Sequence, residues 1–164
     1  MGMSKQDTML LIFLLNIAAL AGAWGLGWMQ DQIGHITTLR LTLVGWVLAC
    51  VIAAISPSVF YFWFAAAFAG LCMGASQSVG RAMVGRLTPP DRSAQVFSLW
   101  SFAVRIASIL GPVLYGLITY LSDGRQRLAI ASTALLFLAS LWVLSKIRWE
   151  LAEQQAAIDQ NSAL

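Results

Sequence analysis

Arg105 sits inside the long apolar run Ala94–Leu121, about eleven residues and roughly 17 Å from its start if that run is helical. A guanidinium at such a depth cannot easily reach water by extending its side chain. An arginine at the centre of a membrane helix costs about 2.5–3.5 kcal/mol on insertion scales, so something must offset it. Ser98, Ser101 and Ser108 recur around it at intervals of three to four residues, with Gly111, Pro112 and Tyr115 continuing the line. This pattern gives one helix a polar stripe suited to holding an anion or carboxylate through Arg105, with Ser101 and Ser108 as hydroxyl partners. The same residues also suit a structural arginine bonded to backbone carbonyls and hydroxyls. A second stripe, Gly70, Gly74, Gln77 and Arg81, precedes it. There Gly70 and Gly74 form a small-residue packing motif. Gln77 can hydrogen-bond a solute or a neighbouring helix, and Arg81 anchors at an interface or pairs with Asp31. Covalent chemistry has no support: the one histidine stands between apolar runs, no carboxylate pair lies within them, and the serines have no nearby base. Cys50 and Cys72 are too few and too far apart for a metal motif or a disulfide framework and read as buried small hydrophobes. Neither a metal nor a cofactor is expected.

The elements that carry these residues follow from composition. Of 164 residues, 59% are hydrophobic and 10% charged, with a mean hydropathy of +0.76. Soluble domains carry about a quarter charged residues, so the solvent that fits this chain is a bilayer. Five segments approach the roughly 20 apolar residues that a spanning helix needs: Met9–Met29, Thr37–Ser56, Ser58–Gly80, Ala94–Leu121 and Leu128–Ser145. Their length and lack of alternation exclude barrel strands. The expected fold is an all-α polytopic membrane protein, with a transmembrane domain over residues 1–148 and a cytoplasmic tail over 149–164. Ala19-Leu20-Ala21 resembles a signal cleavage site, but the apolar run continues to Met29, which favours a retained span.

Basic residues orient the spans. With the N-terminus outside, Arg40, Arg81, Arg86, Arg92, Lys146 and Arg148 lie inside, and Lys5, Arg125 and Arg127 lie outside. Six against three favours the C-terminus in the cytoplasm, although the last outer loop runs against the bias. The net charge of +3 comes from residues scattered at span ends, with no basic block for nucleic acid.

Between the first two spans stands the polar stretch GWMQDQIGHITTL, residues 27–39, expected to be an inner-side loop. Its spacing, Gly27-x3-Asp31-x2-Gly34-x4-Leu39, resembles the loop signature of the major facilitator superfamily. Here His35 and Ile36 replace the basic residues that usually follow the second glycine. The stretch from Gly74 to Ile118 is similar to the vacuole-effluxer-like branch of that family, through Gln77, Arg81, Arg86-Leu87, Pro89, Phe97, Arg105 and Leu110-Gly111-Pro112. The resemblance implies that the five spans correspond to the eighth to twelfth helices of a twelve-helix transporter, a partial six-helix half. It further implies alternating access by a small solute, amino acids among the options, at a site between two halves. Gly27, Asp31 and Gly34 would be the gating-loop motif, Gly111 and Pro112 a hinge, and the partners lipid, solute, and an N-terminal half or a second copy. The cell membrane is the expected location. The competing reading is a non-transporting membrane remnant or interaction subunit that packs through its glycine-rich faces. A small dimeric drug–proton exchanger fits poorly, because no span holds an acidic residue.

Overall fold

The computed structural model describes residues 4–147, so the tail expected over 149–164 lies outside the described residues. Five α-helices account for almost all of the described chain: α1 Lys5–Ile33, α2 His35–Ile55, α3 Val59–Leu87, α4 Ser93–Leu121 and α5 Gln126–Lys146. Each is long and apolar enough to cross a membrane. The shortest, of 21 residues, reach about 31 Å, and the three of 29 residues run well past the hydrocarbon core.

The helix ends follow local chemistry. Ser4 caps α1 reciprocally with Asp7: the Asp7 N–H donates to Ser4 Oγ at 3.1 Å, and the Ser4 N–H donates to Asp7 Oδ2 at 3.1 Å. At the other end of α1 the expected loop over 27–39 is corrected by the structure. Residues 27–33 stay helical, α2 begins at His35, and the only non-helical residue between them is Gly34, at φ +86°. Gln30, Asp31 and Gln32 are compatible with a helix that has left the hydrocarbon, so only the glycine's left-handed geometry breaks it. The third span also outruns its expected end at Gly80. It continues to Leu87, placing Arg81 and Arg86 on helix, and stops where Pro89 forces Thr88 into an extended conformation (φ −102°, ψ 124°). A 3-10 turn, Pro90–Arg92, leads into α4.

Helix α3 is central, packing against α1, α2 and α4, while α5 sits on α2 and carries α4. Small side chains make the contacts. Ala49, Ala65, Ala75, Ala129 and Ala134 are buried, whereas Leu20, Trp24 and Tyr120 are more than 70% exposed. This inversion suits a protein solvated by lipid, where close backbone approach replaces the hydrophobic drive. The α1–α3 crossing is the tightest. A Cβ on Gly74 would fall on the Ala19 carbonyl, one on Gly22 on the Leu71 carbonyl, and one on Gly70 at 2.5 Å from the Leu15 oxygen. Gly70 and Gly74 are therefore packing residues. Between α2 and α3, Trp46 Nε1 donates to Ser76 Oγ at 3.1 Å, and Trp46 also stacks on Phe137 of α5 with centroids 5.0 Å apart.

Candidate functional site

Helix α4 differs from the other four in holding no buried residue. It touches the rest through limited contacts: Trp100 against Gly80 of α3, Phe97 near Gly85, and its second half against α5. Polar residues, with Pro112 among them, run the length of one side at alternating steps of three and four: Ser98, Ser101, Arg105, Ser108, Pro112, Tyr115 and Thr119. Thr119 extends the stripe beyond what the sequence reading took in; the same spacing could have found it.

Arg105 lies near the middle of α4, exposed, and no described residue offers its guanidinium a hydrogen bond or ion pair. The neighbouring hydroxyls do not turn toward it. Ser98 Oγ donates to the Ala94 carbonyl at 2.8 Å, Ser108 Oγ to the Arg105 carbonyl at 2.7 Å, and Thr119 Oγ1 to the Tyr115 carbonyl at 2.8 Å. Their donors are thus satisfied within the helix, and their lone pairs stay available. Ser98, Ser101 and Arg105, flanked by Phe97 and Phe102, line an open groove of about 420 Å³. Ser108 is outside that groove. Farther along, Gly111, Pro112 and Tyr115 border a separate cavity of about 340 Å³ against Ser132 and Thr133 of α5. Helix α4 runs unbroken through Pro112, which removes one backbone donor and leaves the Ser108 carbonyl without its usual partner.

Gln77 belongs to a different surface. It is three residues from Gly74, which contacts α1, and three from Gly80, which contacts α4. At 100° per residue it lies about 60° from each, on the face between them. Met73, Gln77 and Arg81 share that exposed face at four-residue intervals. The groove that Arg105 lines does not include Gln77.

The junction of α1 and α2 has a chemistry that the sequence did not reveal. Gly27 and Asp31 are both on α1, and Asp31 is exposed. Among the described residues no ion pair joins it to Arg81. The contacts centre on His35 instead. Arg86 Nη1 donates to His35 Nε2 at 3.2 Å, and the Gln30 side-chain amide contacts His35 Nδ1. An arginine can only donate, so Nε2 must accept and Nδ1 must carry the proton; the Gln30 amide, whose Nε2 faces Nδ1 here, must then turn over to present its oxygen. His35 thereby ties the start of α2 to the ends of α1 and α3. Nearby, Thr38 is fully buried and donates to the Gly34 carbonyl at 2.9 Å.

Five long apolar helices, small-residue crossings and a polar stripe on the least-packed helix define a polytopic helical membrane protein. The sequence profile of the Major Facilitator Superfamily matches residues 1–161, and the chain belongs to that family. Among curated relatives, an uncharacterized MFS-type transporter, YxiO of Bacillus subtilis, is 22% identical over 145 residues, covering 88% of this chain and 34% of its own length. The multidrug export protein EmrB of Escherichia coli is 25% identical over 97 residues, covering 59% of this chain and 18% of EmrB. Autophagy-related protein 22 of Cryptococcus neoformans is 31% identical over 87 residues, covering 53% of this chain and 16% of that protein. The chain thus spans about a third, or less, of the length of these relatives. No solved structure gives a significant match.

Proposed function

We propose that this chain forms the region of the eighth to twelfth helices of a secondary transporter in the cell membrane. It moves a small organic solute by alternating access, with the solute site between this region and an N-terminal half, covalent or separate. The observation that carries the reading is Arg105: an exposed, unpaired guanidinium near the centre of the one helix without buried residues. Left in lipid, such a group costs about 2.5–3.5 kcal/mol by insertion scales. A water-filled path with an anionic or carboxylate-bearing solute offsets that cost and gives the arginine a task. Ser101 and Ser108 add hydroxyls on the same stripe, while Gln77 of α3 would offer its amide from the separate face that it occupies.

In this proposal residues 1–148 are the transmembrane domain, 149–164 a cytoplasmic tail, and the N-terminus lies outside. Gly34 and the His35 contacts hold the cytoplasmic junction of α1, α2 and α3, with Gly27 and Asp31 on the adjoining turns of α1. Gly111 and Pro112 supply the flexible point of α4. Membership of the vacuole-effluxer-like branch rests on the resemblance of the stretch from Gly74 to Ile118.

The test uses the complete transporter. Arg105→Gln removes the charge while keeping donors, and should weaken equilibrium binding of a carboxylate-bearing solute by the worth of a charge-assisted hydrogen bond, about 1.5–3 kcal/mol, or roughly ten- to a hundredfold. Arg105→Lys should recover only part of it, since lysine lacks the planar fork. Unchanged affinity together with a large drop in melting temperature would make Arg105 structural and remove the main support for the reading.

A further inference from the structure

The last outer loop places Arg125 and Arg127 where the charge bias opposes them, and the transport reading gives them nothing to do. In the structure they line a cavity of about 600 Å³. It lies between the end of α2 and the starts of α3 and α5, away from the α4 stripe. Ala53 of α2, Phe62 of α3, and Leu128 and Ile130 of α5 give it an apolar side, and Gly124 and Gln126 complete the lining beside the arginines. Arg127 Nη2 donates to the Ser56 carbonyl at 3.0 Å, which tethers the guanidinium to the α2–α3 turn and uses one of its five donors. Arg125, the N-cap of α5, has an exposed side chain. Among the described residues no carboxylate lies within 4.0 Å of either arginine. Asp123, close in sequence and held at φ +53°, pairs with neither.

Two uncompensated cations in a cavity with one apolar side, at the point where α5 enters its apolar stretch, match an amphiphile rather than a free ion. A phosphate alone would satisfy the guanidinium groups and leave the apolar side unused. The volume is also within the usual range for a small-molecule site. Basic pockets between membrane helices recognise anionic headgroups in this way. We propose that this cavity binds an anionic phospholipid, with its phosphodiester on Arg125 and Arg127 and the start of an acyl chain against Ala53, Phe62, Leu128 and Ile130. The site does not depend on the transport reading, or on which way the chain is inserted. It gives the outer arginines a role that offsets their cost to topology.

The test is lipid retention by the full 164-residue chain in neutral detergent. Native mass spectrometry would follow titrations with dioleoyl phosphatidylglycerol, dioleoyl phosphatidylcholine and inorganic phosphate. Arg125→Gln is the informative variant, because it leaves the Arg127–Ser56 bond in place. Arg40→Gln, at the opposite end of the bundle, removes the same charge elsewhere. Phosphatidylglycerol should bind in preference to phosphatidylcholine, and Arg125→Gln should weaken it about fivefold, the worth of one basic residue beside an anionic lipid. Arg125→Lys should restore most of that, and Arg40→Gln should change nothing. Equal retention of the two lipids, or equal losses in Arg125→Gln and Arg40→Gln, would overturn the site. Displacement of phosphatidylglycerol by inorganic phosphate would overturn the lipid assignment.

Discussion

The α1–α3 crossing yields a prediction in which packing and helix propensity have opposite signs. Gly→Ala in a helix ordinarily gains up to about 1 kcal/mol. At Gly70 the added Cβ would stand 2.5 Å from the Leu15 oxygen and 3.0 Å from Ala18 Cβ, roughly 0.9 Å inside ordinary contact with the carbonyl. That obstacle is backbone and cannot swing aside, so α1 and α3 must separate. A gap of 0.5–1 Å forfeits about a quarter to a half of each dispersion contact along the crossing, and overpacking typically costs about 1–3 kcal/mol. Gly70→Ala should therefore be net destabilising by about 1 kcal/mol. Gly74→Ala, whose Cβ overlaps the Ala19 carbonyl more severely, should lose about 2 kcal/mol or more. The double variant should lose less than the sum, because one separation accommodates both methyl groups. Gly111 is the internal control: nothing lies within 4 Å of a Cβ there, so Gly111→Ala should be neutral or slightly stabilising. Reversible unfolding of the chain in mixed micelles measures all four. A Gly74→Ala chain as stable as Gly111→Ala would refute the close crossing.

Two further outcomes can be checked on the same material. Trp46→Phe keeps the stacking surface on Phe137 but deletes the indole donor to Ser76, and should cost about 0.6 kcal/mol, the average for an interhelical hydrogen bond in a membrane protein; no change would show that bond to be dispensable. For orientation, single cysteines in the Pro89–Asp91 loop should resist an impermeant thiol reagent on intact cells, and those in Ser122–Arg125 should react; the reverse pattern would invert the proposed topology.

How much was legible depended on which force set each feature. Apolar run length placed all five helices, because a bilayer imposes that length on any spanning segment. Two boundaries agreed closely with punctuation, Ser56-Pro57-Ser58 and Ser122-Asp123-Gly124, while α3 ran past its expected end at Gly80 to the Thr88-Pro89 stop. The polar stretch at 27–39 misled because polarity marks the edge of the membrane, not the end of a helix. Buried Gln30 and exposed Asp31 and Gln32 all remain helical until Gly34 supplies a positive φ. The small-residue motif on α3 was readable from Gly70 and Gly74, but its counterpart on α1, Ala18, Ala19 and Gly22, was not singled out. Partner faces are fixed by tertiary register, and spacing within one helix cannot choose among candidates. His35 is the clearest omission. Its contacts with Gln30 and Arg86 join three helices across 51 positions of sequence, and no local pattern encodes such a meeting.

The central claim is that the polar side of α4 faces water along a solute path while its opposite side faces lipid. Single cysteines introduced in place of Cys50 and Cys72 test it directly, since only a hydrated thiol ionises and reacts with a hydrophilic reagent. In the complete transporter in its membrane, Ser101→Cys and Ser108→Cys should label, and a bound solute should slow that labelling. Leu99→Cys, Ile106→Cys and Val113→Cys, seven residues apart on the far side and exposed in this structure, should stay unreactive. Labelling confined to 99, 106 and 113, or equal on both sides, would contradict the account.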